Sequence, residues 1–440
     1  MRDLFYSLAD HVQSAIKGSE IFTLSAQAER SDFIRFNQAK VRQPGSVVQC
    51  ALHLRLIDNG RHSSISIGIC GDIERDRARL SQAVITLREQ LPHLPVDPHL
   101  LFNTTVQNSE VNASTQIGES KHMVDSILRE GKGLDLVGIL ASGSIYSGFA
   151  NSFGQRNWFA TDNFNFDWSL VQSTDKAVKS SYAGQVWDDQ TFSAKMNTAK
   201  QQLVILERDS ITLDPGEYRA YLTPVALWEI LGLLGWGAFS IRTHQNKTTP
   251  LLKLINEEEQ LSPLFSLLEN VADGASPSFQ SDGFLRPASI PLIDKGLASG
   301  ALISPRSAKE FSLETNGAST GESPDALDVA SGELDRSTIL DQLGTGVYIG
   351  NLWYLNYSDR TAGRMTGMTR FATFWVEDGE IVAPVNVMRF DDTIYRILGS
   401  NLEGLTSDRD FLLSAASYFQ RSTASARLPG ALVNNLRFTL

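Results

Sequence analysis

The sequence predicts an α+β protein: an N-terminal helix/antiparallel-sheet domain, then a β-rich C-terminal domain with one buried central helix. Three observations carry this. Apolar residues at helical spacing flank runs of strict alternation twice in the first half. A tight hairpin closes on Asn59-Gly60. The second half is strand-rich, yet holds the stretch Tyr221 to Ser240, apolar from Val225 to Leu234 except at Glu229.

The elements follow in order. Leu4, Leu8, Val12 and Ile16 repeat at helical spacing and Gly18 ends that helix. Ile21 to Ala28 and Asp32 to Arg42 read as two strands. In the next hairpin Val48, Cys50, Leu52, Leu54 and Leu56 share one face, and Ile65, Ile67 and Ile69 return on the second arm. Asn and Gly suit its turn because both tolerate positive φ. Ile73, Leu80, Val84, Leu87 and Leu91 make a second amphipathic helix. Pro92 to Asn112 is a polar connection. A second cycle then starts with a helix around Met123, Ile127 and Leu128. Leu134 to Ser152 reads as strands broken at Ser142-Gly143-Ser144. Phe164, Phe166, Trp168 and Leu170 alternate with polar residues, as in a half-buried strand. Thr191 to Glu207 reads as a helix. The two cycles suggest a diverged duplication, with units at about 1–92 and 113–212 inside an N-terminal domain of 1–212.

Asp214-Pro215-Gly216 marks the passage to the C-terminal domain, 213–440. Thr223 suits an N-cap and Pro224 the first helical position, and Gly235 and Gly237 stop the helix. A membrane span needs roughly 20 apolar residues, so this helix belongs in a soluble core. Leu261 to Val271 reads as a short helix. Asn316 to Asp335, rich in Gly, Ser, Thr, Asp and Glu, reads as a long surface loop. Val347, Ile349, Asn351, Trp353 and Leu355 alternate as one strand. Arg370 to Val376 and Glu380 to Val387 pair across Asp378-Gly379.

Composition narrows the function. Hydrophobic residues make up 42% and charged residues 20%, so the chain is globular and not disordered. A net charge of -11 argues against a nucleic-acid binder, which needs a basic footprint. Two cysteines, Cys50 and Cys70, read as free thiols of a reducing compartment. Met1-Arg2-Asp3 leads straight into a helix without a signal peptide, so a cytoplasmic location is expected.

The stretch YLTPVALWEILGLLGWGAFS resembles the helix of the TldD/PmbA family, the modulators of DNA gyrase. The segment Ser31 to Asn37 (SDFIRFN) and the hairpin around Trp375-Val376-Glu377-Asp378-Gly379 are further places of resemblance. In the family's catalytic TldD branch the helix carries an HExxxH zinc motif. Laid on this chain, its positions are Trp228, Glu229 and Leu233. Indole and isobutyl groups cannot ligate zinc, which takes Cys, His or carboxylate donors. The family's third ligand is a Cys near the C-terminus, and this chain has no Cys after Cys70 and no His after His244. The resemblance therefore implies the PmbA (TldE) branch. It implies no cofactor in this chain, zinc only in a TldD-like partner or a homodimer without it, and unfolded peptides as substrate; the net charge excludes nucleic acid and the length of the apolar stretch a membrane span.

Glu229 has two readings. It is either a retained general base, or one meeting a partner's site, or it is a carboxylate satisfied by Arg or backbone donors. The second is preferred, because a base without its metal has no activated water. Arg360, Arg364 and Arg370 either clamp a peptide carboxylate or sit in a solvated hairpin loop. Trp353, Tyr354 and Tyr357 either line an apolar groove or, for Trp353, pack in the core. His53 and His62 stand on facing arms of the hairpin without defining a site. Three functions remain in view: the subunit of a TldD/PmbA-type metalloprotease system, acting in proteolysis or maturation of unfolded peptides; a stand-alone homodimer that binds peptides or small molecules; and a hydrolase using a metal held elsewhere.

Overall fold

The computed structural model describes residues 1–112, 117–173 and 176–439. Residues 113–116, where the second expected unit begins, lie outside the described residues. The fold is α+β. Its first part contains helix α1 (Arg2–Ala15), strands β1 (Ile21–Asn37), β2 (Lys40–Asp58) and β3 (Arg61–Gly68), helix α2 (Ile73–Gln90), strand β4 (Ser109–Val111), helix α3 (Ser120–Glu130), strands β5 (Leu136–Asn151), β6 (Arg156–Ser173) and β7 (Lys176–Gly184), and helix α4 (Asp189–Ile205). Helix, three long strands, helix thus occurs twice, as the alternation of periods predicted.

Among the described residues these strands form one sheet in the order β3-β2-β1-β5-β6, with β4 and β7 both on the outer side of β6. The two units meet where β1 runs antiparallel to β5, from Thr23 opposite Asn151 to Phe36 opposite Gly138. Each unit buries its own apolar face. In the first, Phe5, Leu8 and Val12 of α1 meet Leu24, Leu52 and Leu54. In the second, Met123, Ile127, Phe192 and Met196 cover Phe164, Phe166 and Trp168. Asp72 caps α2, accepting from the amides of Glu74 and Arg75 at 3.1 and 3.2 Å.

Four expectations in this half are corrected. Ile21 to Arg42 is not two strands: β1 runs unbroken to Asn37, turns at Gln38-Ala39 with positive φ, and Lys40 to Arg42 begin β2. The segment at Ser142-Gly143-Ser144 is not a break. Gly143 holds φ +132 inside a continuous β5, and a Cβ there would stand 2.2 Å from the carbonyl oxygen of Arg30. The strand through Phe164 is not half-buried, since Asn163 and Asn165 on its polar side are buried too. His53 and His62 do not face each other: His53 contacts Ser66, and His62 pairs with Asp97 at 3.1 Å.

The second part contains β8 (Gly216–Leu222), α5 (Pro224–Leu234), α6 (Ile241–Gln245), α7 (Leu252–Ile255), β9 (Leu267–Asn270), β10 (Ser289–Asp294), β11 (Leu297–Ala298), α8 (Pro305–Phe311), β12 (Ala326–Val329), α9 (Ile339–Leu343), β13 (Gly346–Ile349), β14 (Leu352–Asp359), β15 (Arg364–Thr369), β16 (Thr373–Glu377), β17 (Glu380–Pro384), β18 (Arg389–Thr393), β19 (Leu402–Leu405), β20 (Asp410–Leu413), β21 (Ser425–Leu428) and β22 (Ala431–Phe438). Among the described residues one sheet orders β11-β10-β9-β12-β21-β20. The other orders β14-β15-β18-β22-β8-β13-β16-β17, with β19 against β22.

Helix α5 lies in a core to which both sheets contribute, Ala220 and Val347 from one, Leu267, Leu327 and Leu428 from the other. Its cap is the one read from sequence, with Thr223 Oγ1 accepting from the Ala226 amide at 3.3 Å. Ala226, Leu227, Ile230, Leu231 and Leu234 are fully buried.

Three readings here are corrected. Leu261 to Val271 is not a helix but leads into β9, because Phe265 and Leu267 reach the shared core. Asn316 to Asp335 is not a surface loop. It contains β12, an inner strand buried along its whole length. Its Glu322 is fully buried and accepts from Ser304 N and Oγ at 2.9 and 2.7 Å. Acidic and small residues there serve internal hydrogen bonds. Val347 to Leu355 is two strands, separated at Gly350-Asn351. The Asp378-Gly379 turn stands as read, with φ +48 and +82.

Candidate functional site

The side of α5 away from the core opens on a cleft between the two halves of the chain. The turn spacing of Val225, Trp228, Glu229, Gly232 and Leu233 puts them on this side. Opposite stand Asn165 and Asp167 of β6 and Lys179 and Ser181 of β7, and the cavity they enclose measures about 420 Å³. A second cavity of about 490 Å³ continues it over the sheet, past Phe33, Val137 and Ile139. The two share Asn165, Asp167 and residues Leu413 to Ala415.

The loop between β20 and β21 is laid across that sheet and fastened there. Asn165 Nδ2 donates to the Leu413 carbonyl at 2.8 Å. Arg421, 4% exposed, enters the centre of the sheet. Its guanidinium donates to the carbonyl oxygens of Asn163 and Gly143 at 3.0 and 3.3 Å. Burial pushes it down to about 10, with Glu29 acting against that. Tyr418 and Phe419 stand exposed on the same loop.

Glu229 accepts no hydrogen bond from any described residue, so the expectation of Arg or backbone donors is corrected. Burial raises its carboxyl above the ordinary 4.5, Lys179 pulls it down and Asp167 pushes it further up. Asp167 is raised by burial and lowered by Lys179, whose ammonium lies 3.6 Å away. The cleft thus holds two carboxyl groups under the influence of one ammonium, which pairs with Asp167. A carboxyl whose folded value exceeds its unfolded one favours the fold below the unfolded value and loses that contribution as pH rises through the folded value. Glu229→Gln should therefore raise the thermal midpoint at pH 7, and the gain should vanish at about pH 4. Denaturation curves between those pH values check it, and a variant equally stabilised at both would contradict it.

The sequence-predicted residues do not form one site. Trp228 and Leu233 line the cleft with Glu229. Arg360 is turned to the end of α5, donating to Trp236 O at 2.6 Å and Thr248 O at 3.0 Å. Arg364 pairs with Asp391 at 3.2 Å. Arg370 stacks 4.5 Å over the ring of Trp353. The three arginines therefore make no joint clamp. Trp353 is 43% exposed, not in the core, and Tyr354 is 75% exposed with φ +58. Tyr357 donates to the Leu233 carbonyl at 3.0 Å.

Sequence reasoning missed Asp167, Lys179, Asn165 and Arg421. The signal for Asn165 and Asp167 was the polar side of the β6 alternation, read as facing water. Among the described residues no His or Cys lines the cleft, and no group of three His, Cys, Asp or Glu is placed to hold a metal ion. Among the described residues no helix is long and apolar enough to cross a membrane.

No curated protein matches the chain. Solved structures match along its whole length. A protein of Thermotoga maritima described as a modulator of a DNA gyrase superposes with TM-score 0.78 at 14% identity, covering 99% of this chain and 100% of that one. TldE from Thermococcus kodakarensis gives 0.78 at 13% identity, with 99% and 100% covered. A Bacteroides thetaiotaomicron protein, also described as a modulator of DNA gyrase, gives 0.74 at 16%, with 99% and 98% covered. At these identities the likeness establishes the fold. The family model of the PmbA/TldA metallopeptidase C-terminal domain matches residues 215–440, more than half of the sequence, and the half that holds α5. The chain belongs to the TldD/PmbA family.

Proposed function

We propose that the chain is a TldE-like subunit of a TldD/PmbA-type metalloprotease system acting on unfolded peptides, and that it carries no zinc of its own. The observation behind this is the lining of the cleft. Where the catalytic branch needs two imidazoles on α5, this helix presents Trp228 and Leu233 beside Glu229. The nearby donors are Glu229 and Asp167, the latter already paired with Lys179, and without an imidazole or thiolate beside them this set falls short of a zinc site. The fold likeness to a protein named TldE agrees with this reading. The cleft would hold peptide chain for a catalytic partner, and free Cys50 and Cys70 accord with a cytoplasmic setting.

The test is reconstitution. Purified alone, the chain should bind no stoichiometric zinc and cleave no unfolded casein. With a TldD-like protein from the same genome it should co-elute, and the mixture should cleave casein in a chelator-sensitive way. Chelator-sensitive cleavage by the chain alone would end the proposal. A second reading, a homodimer that binds peptides without proteolysis, is favoured by one fact: both walls of the cleft come from a single chain. Peptide binding without association to any TldD-like protein would select it.

A further inference from the structure

A further cavity lies away from α5. A cavity of about 940 Å³ separates the outer edge of β6 from the six-stranded sheet. That is within the roughly 300–1,000 Å³ of small-molecule pockets, which favour domain junctions. Two opposite charges enter it from opposite walls. Asp162 comes from β6, and its Oδ1 is buried without a hydrogen-bond partner. Arg427 comes from β21 and makes no ion pair among the described residues. Its guanidinium touches only the Asp273 carbonyl, at 3.4 Å, and lies 5.9 Å over the ring of Phe411.

The other charged groups at the cavity have partners. Arg286 is held by Glu269 and Asp325. Asp273 accepts from Asn270 at 3.0 Å. A buried carboxylate oxygen without a donor is costly. Asp162 and Arg427 form no ion pair with each other, and Phe159 and Phe411 supply apolar wall in the same cavity.

We infer that this cavity binds a small zwitterion, a free amino acid or dipeptide. Its α-ammonium donates to Asp162, its carboxylate takes the guanidinium of Arg427, and an apolar side chain lies against the two phenylalanines. The inference does not need the subunit reading, since no residue of the α5 cleft takes part.

Titration calorimetry on the intact chain tests it, with L-phenylalanine and L-phenylalanyl-L-alanine as probes. At least one should bind, and which one fixes the length of the ligand. Acetylating the amine or amidating the carboxylate of the binding probe should each weaken it tenfold or more. Asp162→Asn and Arg427→Gln should do the same, while Glu229→Gln leaves it unchanged. No heat with either probe, or equal binding of the blocked forms, overturns the inference. So does loss of binding in Glu229→Gln, which would put the ligand in the cleft. The blocked probes need no variant, so the test survives if a substitution prevents folding.

Discussion

Arg286→Met should be the most damaging single substitution considered, costing about 3–5 kcal/mol of folding stability. Glu269 is fully buried and its carboxylate is matched by Arg286, itself 4% exposed in its side chain, which also holds Asp325 at 2.8 Å. Burial raises the Glu269 carboxyl and Arg286 is the first influence acting against it. With methionine in place, an ionised group is left in the interior with only the amides of Asp325 and Ala326. The double variant Glu269→Gln, Arg286→Met should recover most of the loss, because the uncompensated charge is gone. Urea denaturation of the single and double variants decides this. A double variant as weak as the single one would show that packing, not charge, sets the cost.

Arg421→Met should cost about 2–3 kcal/mol, since it strands the Asn163 and Gly143 carbonyl oxygens inside the sheet. Its local effect should be larger than its global one. The guanidinium fastens the loop between β20 and β21 to β5 and β6, with Gln49 donating to the Phe419 carbonyl as a further tie. Hydrogen exchange at residues 414–420 should accelerate at least tenfold, while the amides of α5 change little. Lysine should not restore the protection, because one ammonium cannot match a planar fork reaching two carbonyls. Unchanged exchange in that loop would mean that the hairpin strands alone hold it.

Much of the fold was legible because it rests on local rules. The cap of α5, the Asn59-Gly60 and Asp378-Gly379 turns, and the doubled helix–sheet–helix pattern each follow from neighbouring residues. The errors share a cause. Ser142-Gly143-Ser144 and Asn316 to Asp335 look like breaks and loops by composition. The first lies within β5 and the second holds β12, because distant partners, Arg30 across β1 and the six-stranded sheet around β12, complete their hydrogen bonding. The arginines and aromatics of β14 and β15 were gathered by nearness in sequence, yet their side chains go to separate partners.

The sequence alone determined which side chains this protein has where a zinc site would need imidazoles, since no arrangement turns an indole or an isobutyl group into a ligand. Only the tertiary structure decided what surrounds Glu229. Asp167 and Lys179 lie in the first half of the chain and α5 in the second. The cleft exists because strands of the first half face a helix of the second, and an alternating strand records that one side is polar without recording what that side faces.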